Sequence, residues 1–315
     1  MEIDRRGNIL INDPSQPVVF MLNGKGNLIQ KIGKEGRGPG EFQNAGSFLT
    51  VHDSLAVTDG PSHKIEVFQY LNTKYEHIRT IDIENQKLLG NLLGLTDKGI
   101  LLENDIWLSP FAPKNPTETA ISFLDHKGDI LQDTLFSVPI HEFVVHDNSE
   151  TAFVRGKIFG NSSKLAYDDN KGRIYSLWTD KLSIDYFTLD GERHHAFSYP
   201  LLQPVNITKV ERDSALNRLD EPTRDIMRKH MPDVKPIAGH MVVDDQQRLW
   251  VELLSEELGH GWFAFSADGE PLFHIKIPHH NAILQDIRGN TFLWNYTNKK
   301  GVPTAVKSRV NIPEV

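Results

Sequence analysis

The chain has 315 residues, with 34 Lys and Arg against 42 Asp and Glu, for a net charge of −8. The two signs are interspersed, which excludes the concentrated basic face that nucleic acid binding needs. No apolar run approaches the ~20 residues of a membrane-spanning helix, and the absence of cysteine excludes thiol catalysis, disulfides and thiolate metal sites.

The first segment, MEIDRRGNIL, lacks the apolar core of a signal peptide. From Ile3 the sequence IDRRGNILIND gives an Asp, a tight turn with Gly and a second apolar strand, the turn chemistry of a β-hairpin. VVFMLNGKGNLIQKI follows from Val18 as a second hairpin, so two hairpins make a unit of four short strands. The stretch GKEGRGPGEF, residues 33–42, then places four glycines between one unit and the next. It has no Gly-Lys-Ser/Thr ending, no Gly-x-Gly-x-x-Gly order and no following helix, so it is a connector and not a phosphate loop.

The hairpin motif returns as VHDSLAVTD from Val51 and LTDKGILLEN from Leu95. It recurs as DDNKGRIYSL from Asp168, VDDQQRLWVE from Val243 and QDIRGNTFLW from Gln285. Taking Asp4, Asp53, Asp97, Asp169, Asp244 and Asp286 as markers, three of the five intervals match the ~40–50 residues of a four-stranded propeller blade. The two longer intervals each require an insertion. The first, HEFVVHDNSETAFVRGKIFGNSS from His141, is strand-like. The second, residues 206–232, carries a Thr208–Glu211 capping box and apolar residues Leu216, Leu219, Ile226 and Met227 at helical spacing. The expected fold is all-β: a single six-bladed β-propeller over residues 1–315 with a short helical insertion at 206–232.

The connector and the following LAVTDGPSHKIEVF resemble an NHL-type repeat. Over its whole length the chain is similar to bacterial six-bladed propeller proteins related to NHL repeats, which carry a helical excursion before a VDxxxRLWV blade, as residues 243–251 do here. The resemblance implies an exported protein, periplasmic or extracellular; separately, a monomer is expected. Before its turn the first copy has only Met1, Glu2 and Ile3, and the last has no evident fourth strand. Residues upstream of Met1 are expected to complete that last blade by pairing with the 304–310 region, with a signal peptide ahead of them.

The recurrence of the six aspartates at equivalent turns points to structure, because an Asp side chain accepts backbone N–H groups there. Ligands in a propeller reach the axial funnel, lined by the innermost strands and the loops leading into them. Aligning the copies brings Asn44, Asn91, Arg155, His240, His279 and His280 to that region, with Ser47, His141, His146 and Asn281 near it. Imidazole and carboxamide groups from several blades suit a polar ligand or a divalent metal. The His pairs lack metal-ligand spacing, so no metal or other cofactor is assigned. No Gly-x-Ser-x-Gly or His-Glu-x-x-His motif occurs. The expected function is therefore non-catalytic binding of a protein, peptide or glycan. The alternative, by analogy with lactonase-like and peptide-amidating-lyase propellers, is a metal-assisted hydrolase or lyase working in the same funnel.

Overall fold

In the computed structural model, residues 1–13, 15–83, 90–105, 118–147, 152–277 and 282–311 are described. Among the described residues, six antiparallel sheets of three or four strands follow one another along the chain. Blade 1 is built from Glu2–Ile3, Ile9–Asn12, Val19–Leu22 and Leu28–Ile32. Blade 2 follows with Ala45–Val51, Ser54–Asp59, Lys64–Leu71 and Lys74–Asp82, and blade 3 with Asn91–Leu95, Ile100–Asp105, Glu118–Leu124 and Ile130–Pro139. Blade 4 comprises Ser163–Asp168, Arg173–Trp178, Leu182–Thr188 and Arg193–Tyr199. Ala238–Val243, Leu249–Ser255, Gly259–Phe265 and Pro271–Ile275 form blade 5. Blade 6 has three strands among the described residues, Ile283–Arg288, Thr291–Thr297 and Pro303–Arg309. The first strands of successive blades lie side by side in a closed ring, so the molecule is a six-bladed β-propeller.

A single blade cannot bury both of its faces, and the period-two alternation of its strands decides which neighbour each side chain meets. In the second strand of blade 3, Ile100 and Leu102 pack with Ile65 and Val67 of blade 2, while Leu101 packs with Ile174 and Phe187 of blade 4. Equivalent apolar layers fill the other spaces, and the one between blades 5 and 6 is built around Trp250, Trp262, Phe292 and Trp294. The seam between blades 6 and 1 is closed by Ile3, Ile9 and Leu293. It is also held by hydrogen bonds: the Ile3 N–H donates to Asp286 Oδ2 (2.6 Å) and Arg288 Nε donates to the Ile3 carbonyl (3.0 Å).

The repeated aspartates divide by role. Asp4 Oδ1 accepts the N–H groups of Arg6 (2.9 Å) and Asn8 (2.8 Å), and Asp244 Oδ1 does the same for Gln246 and Arg248 (2.9 Å each). In the fourth copy the buried turn residue is Asp168, not its exposed neighbour Asp169. Asp53 instead pairs with Arg6 of blade 1 (2.8 Å).

The glycine-rich connector folds back on itself, pairing Lys34–Glu35 with Glu41–Phe42. Gly33 has φ +78°, and a Cβ there would stand 2.2 Å from the buried Phe42 ring, so the close turn requires glycine. The loop is pinned from below by Lys64, whose Nζ donates to the carbonyls of Arg37 (3.2 Å), Gly38 (2.9 Å) and Glu41 (2.9 Å).

The two insertions meet. The first contains a hairpin, Phe143–Asp147 with Ala152–Gly156; the second contains helices α1 (Lys209–Leu216) and α2 (Glu221–His230). A capping box of Thr208 and Glu211 starts α1. Leu216, Met227 and Met231 pack on Val144 of the hairpin, giving a small core of their own. Both insertions flank blade 4 and are tied to Thr179, whose Oγ1 accepts the Ser162 N–H (2.9 Å) and whose carbonyl accepts the Ile237 N–H (2.9 Å). No helix among the described residues is long and apolar enough to cross a membrane.

Candidate functional site

The ring of inner strands has two distinct ends. At the connector end the chain arrives from the previous blade, and at the turn end each inner strand reverses into the second strand of its blade. A compact group of titratable side chains lies at the connector end of blade 5.

There the inner strand bulges between Ala238 and Met241. Gly239 occupies the bulge, and a Cβ on it would lie 2.3 Å from Glu252 Oε2. Bare backbone at this point lets the Glu252 carboxylate press against the inner strand. Oε2 accepts the backbone N–H of His240 (3.2 Å) and bonds to its Nδ1 (2.9 Å), while Oε1 bonds to Nε2 of His260 (2.8 Å). The carboxylate is 14% exposed and the two imidazoles are nearly half exposed.

Burial alone would raise the Glu252 pKa, but the bonds from His240 and His260 outweigh it and hold it at about 2. An ionised carboxylate only accepts hydrogen bonds, so Nδ1 of His240 and Nε2 of His260 carry protons. Nε2 of His240 and Nδ1 of His260 make no hydrogen bond among the described residues.

Blade 2 repeats the backbone device with different side chains. Its inner strand bulges between Ala45 and Phe48, and Gly46 lies against Thr58 as Gly239 lies against Glu252. Ser47, in the place of His240, accepts the Leu92 N–H (2.9 Å) and contacts Thr58 Oγ1 (3.2 Å), joining blade 2 to blade 3. The same position thus binds structure in one blade and presents an oriented imidazole in another.

Between these blades stands Lys164, on the inner strand of blade 4. Burial lowers its pKa, and the negative charges of Glu103 and Glu252 oppose that shift. No acceptor among the described residues is hydrogen-bonded to its ammonium. Asn91, exposed, faces Glu103 across the first two strands of blade 3. Lys164 therefore links the Asn91–Glu103 pair electrostatically to the His240–Glu252–His260 group.

The other candidates are placed apart from this group. Asn44 is exposed in the connector into blade 2, with its N–H donating to Asp59 Oδ1 (3.1 Å). Arg155 belongs to the insertion hairpin, and its charge acts on Asp220 at the start of α2. His279, His280 and Asn281 lie outside the described residues. Among the described residues no group of three or more His, Asp and Glu is arranged to hold a metal ion. Glu252, His260 and Lys164 were not among the residues singled out by sequence. Glu252 had a readable signal, because a hairpin turning at 244–248 sets residue 252 opposite residue 240.

Two cavities, of about 510 Å³ and 680 Å³, open at the turn end, and Asn44, Asn91, Arg155 and His240 line neither.

A family model for 6-bladed beta-propellers matches residues 3–102, which span blades 1 and 2 and the start of blade 3. No curated protein matches the chain by sequence. Among solved structures, a member of the duf4221 family from Bacteroides vulgatus is 11% identical, with 93% of this chain and 86% of that chain covered and a TM-score of 0.54. Virginiamycin B lyase from Staphylococcus aureus is 12% identical over 99% of this chain and 83% of its own, with a TM-score of 0.41. A gluconolactonase from Xanthomonas campestris is 12% identical over 92% and 79%, with a TM-score of 0.45. At these identities the likeness is one of fold.

The Glu252 arrangement carries a pH signature. Its folded pKa of about 2 lies below the ordinary 4.5, so its contribution to stability is complete above pH 4.5 and is lost as pH falls toward 2. Glu252→Gln should cost about 2–3 kcal/mol at pH 7. Urea unfolding between pH 7 and pH 2.5 should show a shallower acid loss for the variant than for the wild type. Parallel curves would show that the two imidazoles do not hold the carboxylate.

Proposed function

We propose that the protein is a recognition propeller that binds a small hydroxyl-rich ligand, of the sugar or glycan class, at the connector end of its axis. The observation that carries this reading is the Glu252 carboxylate fixed by two imidazoles beside the half-buried ammonium of Lys164. A hydroxyl both donates and accepts. The group offers donors at Lys164 and at the Asn91 amide, and the outward ring nitrogens of His240 and His260 complete the set of polar atoms. Charged donors such as Lys164 add ~1.5–3 kcal/mol per hydrogen bond. Because Glu252 already orients both rings, little side-chain ordering is left for the ligand to drive.

Calorimetric titration with a panel of mono- and oligosaccharides tests the reading. At least one should bind, and His240→Ala and Lys164→Ala should each weaken it tenfold or more with little change in melting temperature. Equal affinity in the variants would overturn the assignment, as would a panel with no binder.

The metal-assisted hydrolase or lyase reading draws on the same imidazoles. Elemental analysis of protein purified without a metal-affinity tag separates the two. From the resemblance to exported propeller proteins, we place the protein in the periplasm or outside the cell.

A further inference from the structure

The outer edge of blade 6, on the rim of the propeller, differs from the edges of the other blades. Blades 1 to 5 each have a fourth strand, and residues of those strands, such as Ile32, Tyr75, Ile81 and Phe197, help to fill the apolar layers between blades. Among the described residues blade 6 ends at its third strand, Pro303–Arg309, which pairs only with Thr291–Thr297.

The register decides which backbone groups are left over. The Asn298 N–H donates to the Val302 carbonyl and the Val310 N–H to the Asn290 carbonyl (3.0 Å each). Bonded and non-bonded positions alternate along an antiparallel pair, so Thr304, Val306 and Ser308 bond to Thr291–Thr297. Ala305, Lys307 and Arg309 turn their N–H and C=O groups outward, where no described strand pairs with them.

The seam beside this edge is uncovered as well. Ile9, Leu22 and Leu28 of blade 1 are direct cross-strand partners and so share one face. Ile9 and Leu22 pack toward Leu293 of blade 6, but Leu28, the outermost, is 53% exposed.

The charge at the edge is of one sign. Residues 287–311 include five basic side chains and no acidic one, in a chain of net charge −8. Lys307 and Arg309 share the face of Leu293 toward blade 1, and Lys31 lies on the side of blade 1 that faces them. These three form no ion pair among the described residues. A second copy of the chain fits such an edge poorly, because two-fold pairing sets Lys307 and Arg309 against their own kind, and like charges on facing strands repel.

We infer that this edge accepts a fourth strand from an acidic polypeptide partner, antiparallel to Pro303–Arg309, with acidic side chains opposite Lys307 and Arg309 and apolar ones alternating with them. The outward N–H and C=O groups supply the backbone bonds of strand addition. The alternate side chains fall beside Val306 and Val310, at the margin of the layer between blades 5 and 6.

The test uses a fluorescent nine-residue peptide of alternating valine and glutamate, read by anisotropy with the intact protein. It should bind at least tenfold more tightly than the same peptide with lysine for glutamate. The double variant Lys307→Glu, Arg309→Glu should reverse that order. Residues opposite Lys307 and Arg309 carry the bonded amides, so N-methylation of the glutamates should abolish binding and N-methylation of the valines should leave it within about threefold. Ala305→Pro removes an outward N–H from an edge strand, where proline is tolerated, and should weaken binding at least tenfold. Equal binding of the glutamate and lysine peptides would overturn the inference. So would equal loss from either set of N-methyl groups, or no binding at ~1 mM peptide. A wild-type dimer in sedimentation that Ala305→Pro converts to monomer would also overturn it, since a second copy would then hold the edge.

Discussion

Lys64→Met should lower the stability of the protein by about 3–5 kcal/mol, the cost of removing one partner from a buried ion pair. Lys64 is 4% exposed and pairs with Glu66, which is fully buried. Glu66 Oε2 also bonds to His77 Nε2 (2.7 Å) and Thr80 Oγ1 (2.8 Å). The same ammonium holds three carbonyls of the glycine-rich connector. Removing it leaves a buried carboxylate with only one partly exposed imidazole and one hydroxyl, and leaves the connector carbonyls without their donor. In a chain of this size the melting temperature should fall by ~10 °C. Lys64→Met combined with Glu66→Leu should recover much of the loss, because replacing the whole pair by apolar groups is commonly near neutral. A single variant that melts within ~2 °C of the wild type would show that the network contributes little.

Trp250→Ala should cost a similar ~3–5 kcal/mol. The indole is fully buried between blades 5 and 6, edge-on to Phe292 at 5.2 Å between ring centres. Its Nε1 donates to Asp244 Oδ2 (2.7 Å), so the truncation opens a cavity and also removes a donor from the carboxylate that organises the adjacent turn. Trp250→Phe keeps most of the packing and loses the hydrogen bond, and should cost about 1–2 kcal/mol. Guanidinium unfolding of the two variants separates packing from hydrogen bonding. Equal losses would place the whole effect in the Asp244 contact.

Much of the fold is legible in the sequence because its information is local. Each blade announces itself by a two-strand alternation and a turn built on Asp or Gly, and six copies cannot be packed except against one another. Asp4 and Asp244 show the mechanism directly, since each carboxylate closes its own turn. The same locality misplaces detail: DDNKG offers two adjacent aspartates, and only burial distinguishes Asp168 from Asp169.

What escapes the sequence depends on contacts between distant segments. Lys64 reads as a solvated strand residue, and nothing near it reveals that carbonyls from residues 37–41 close over its ammonium. His240 is visible as a histidine near a strand start, but its orientation comes from Gly239 and the bulge, which bring Glu252 against the backbone. Lys164 is half-buried only because the inner strands of blades 3 and 5 stand on either side of it.

Ligand binding at the connector end is proposed to run through His240 and His260. It is tested most directly by following the imidazole nitrogen resonances of the protein during titration with the best-binding saccharide. Saturable shifts are expected at His240 Nε2 and His260 Nδ1, with one dissociation constant that matches calorimetry, while His52 and His126 at the turn end stay unchanged. Shifts confined to His52 and His126, with His240 and His260 unmoved, would contradict it.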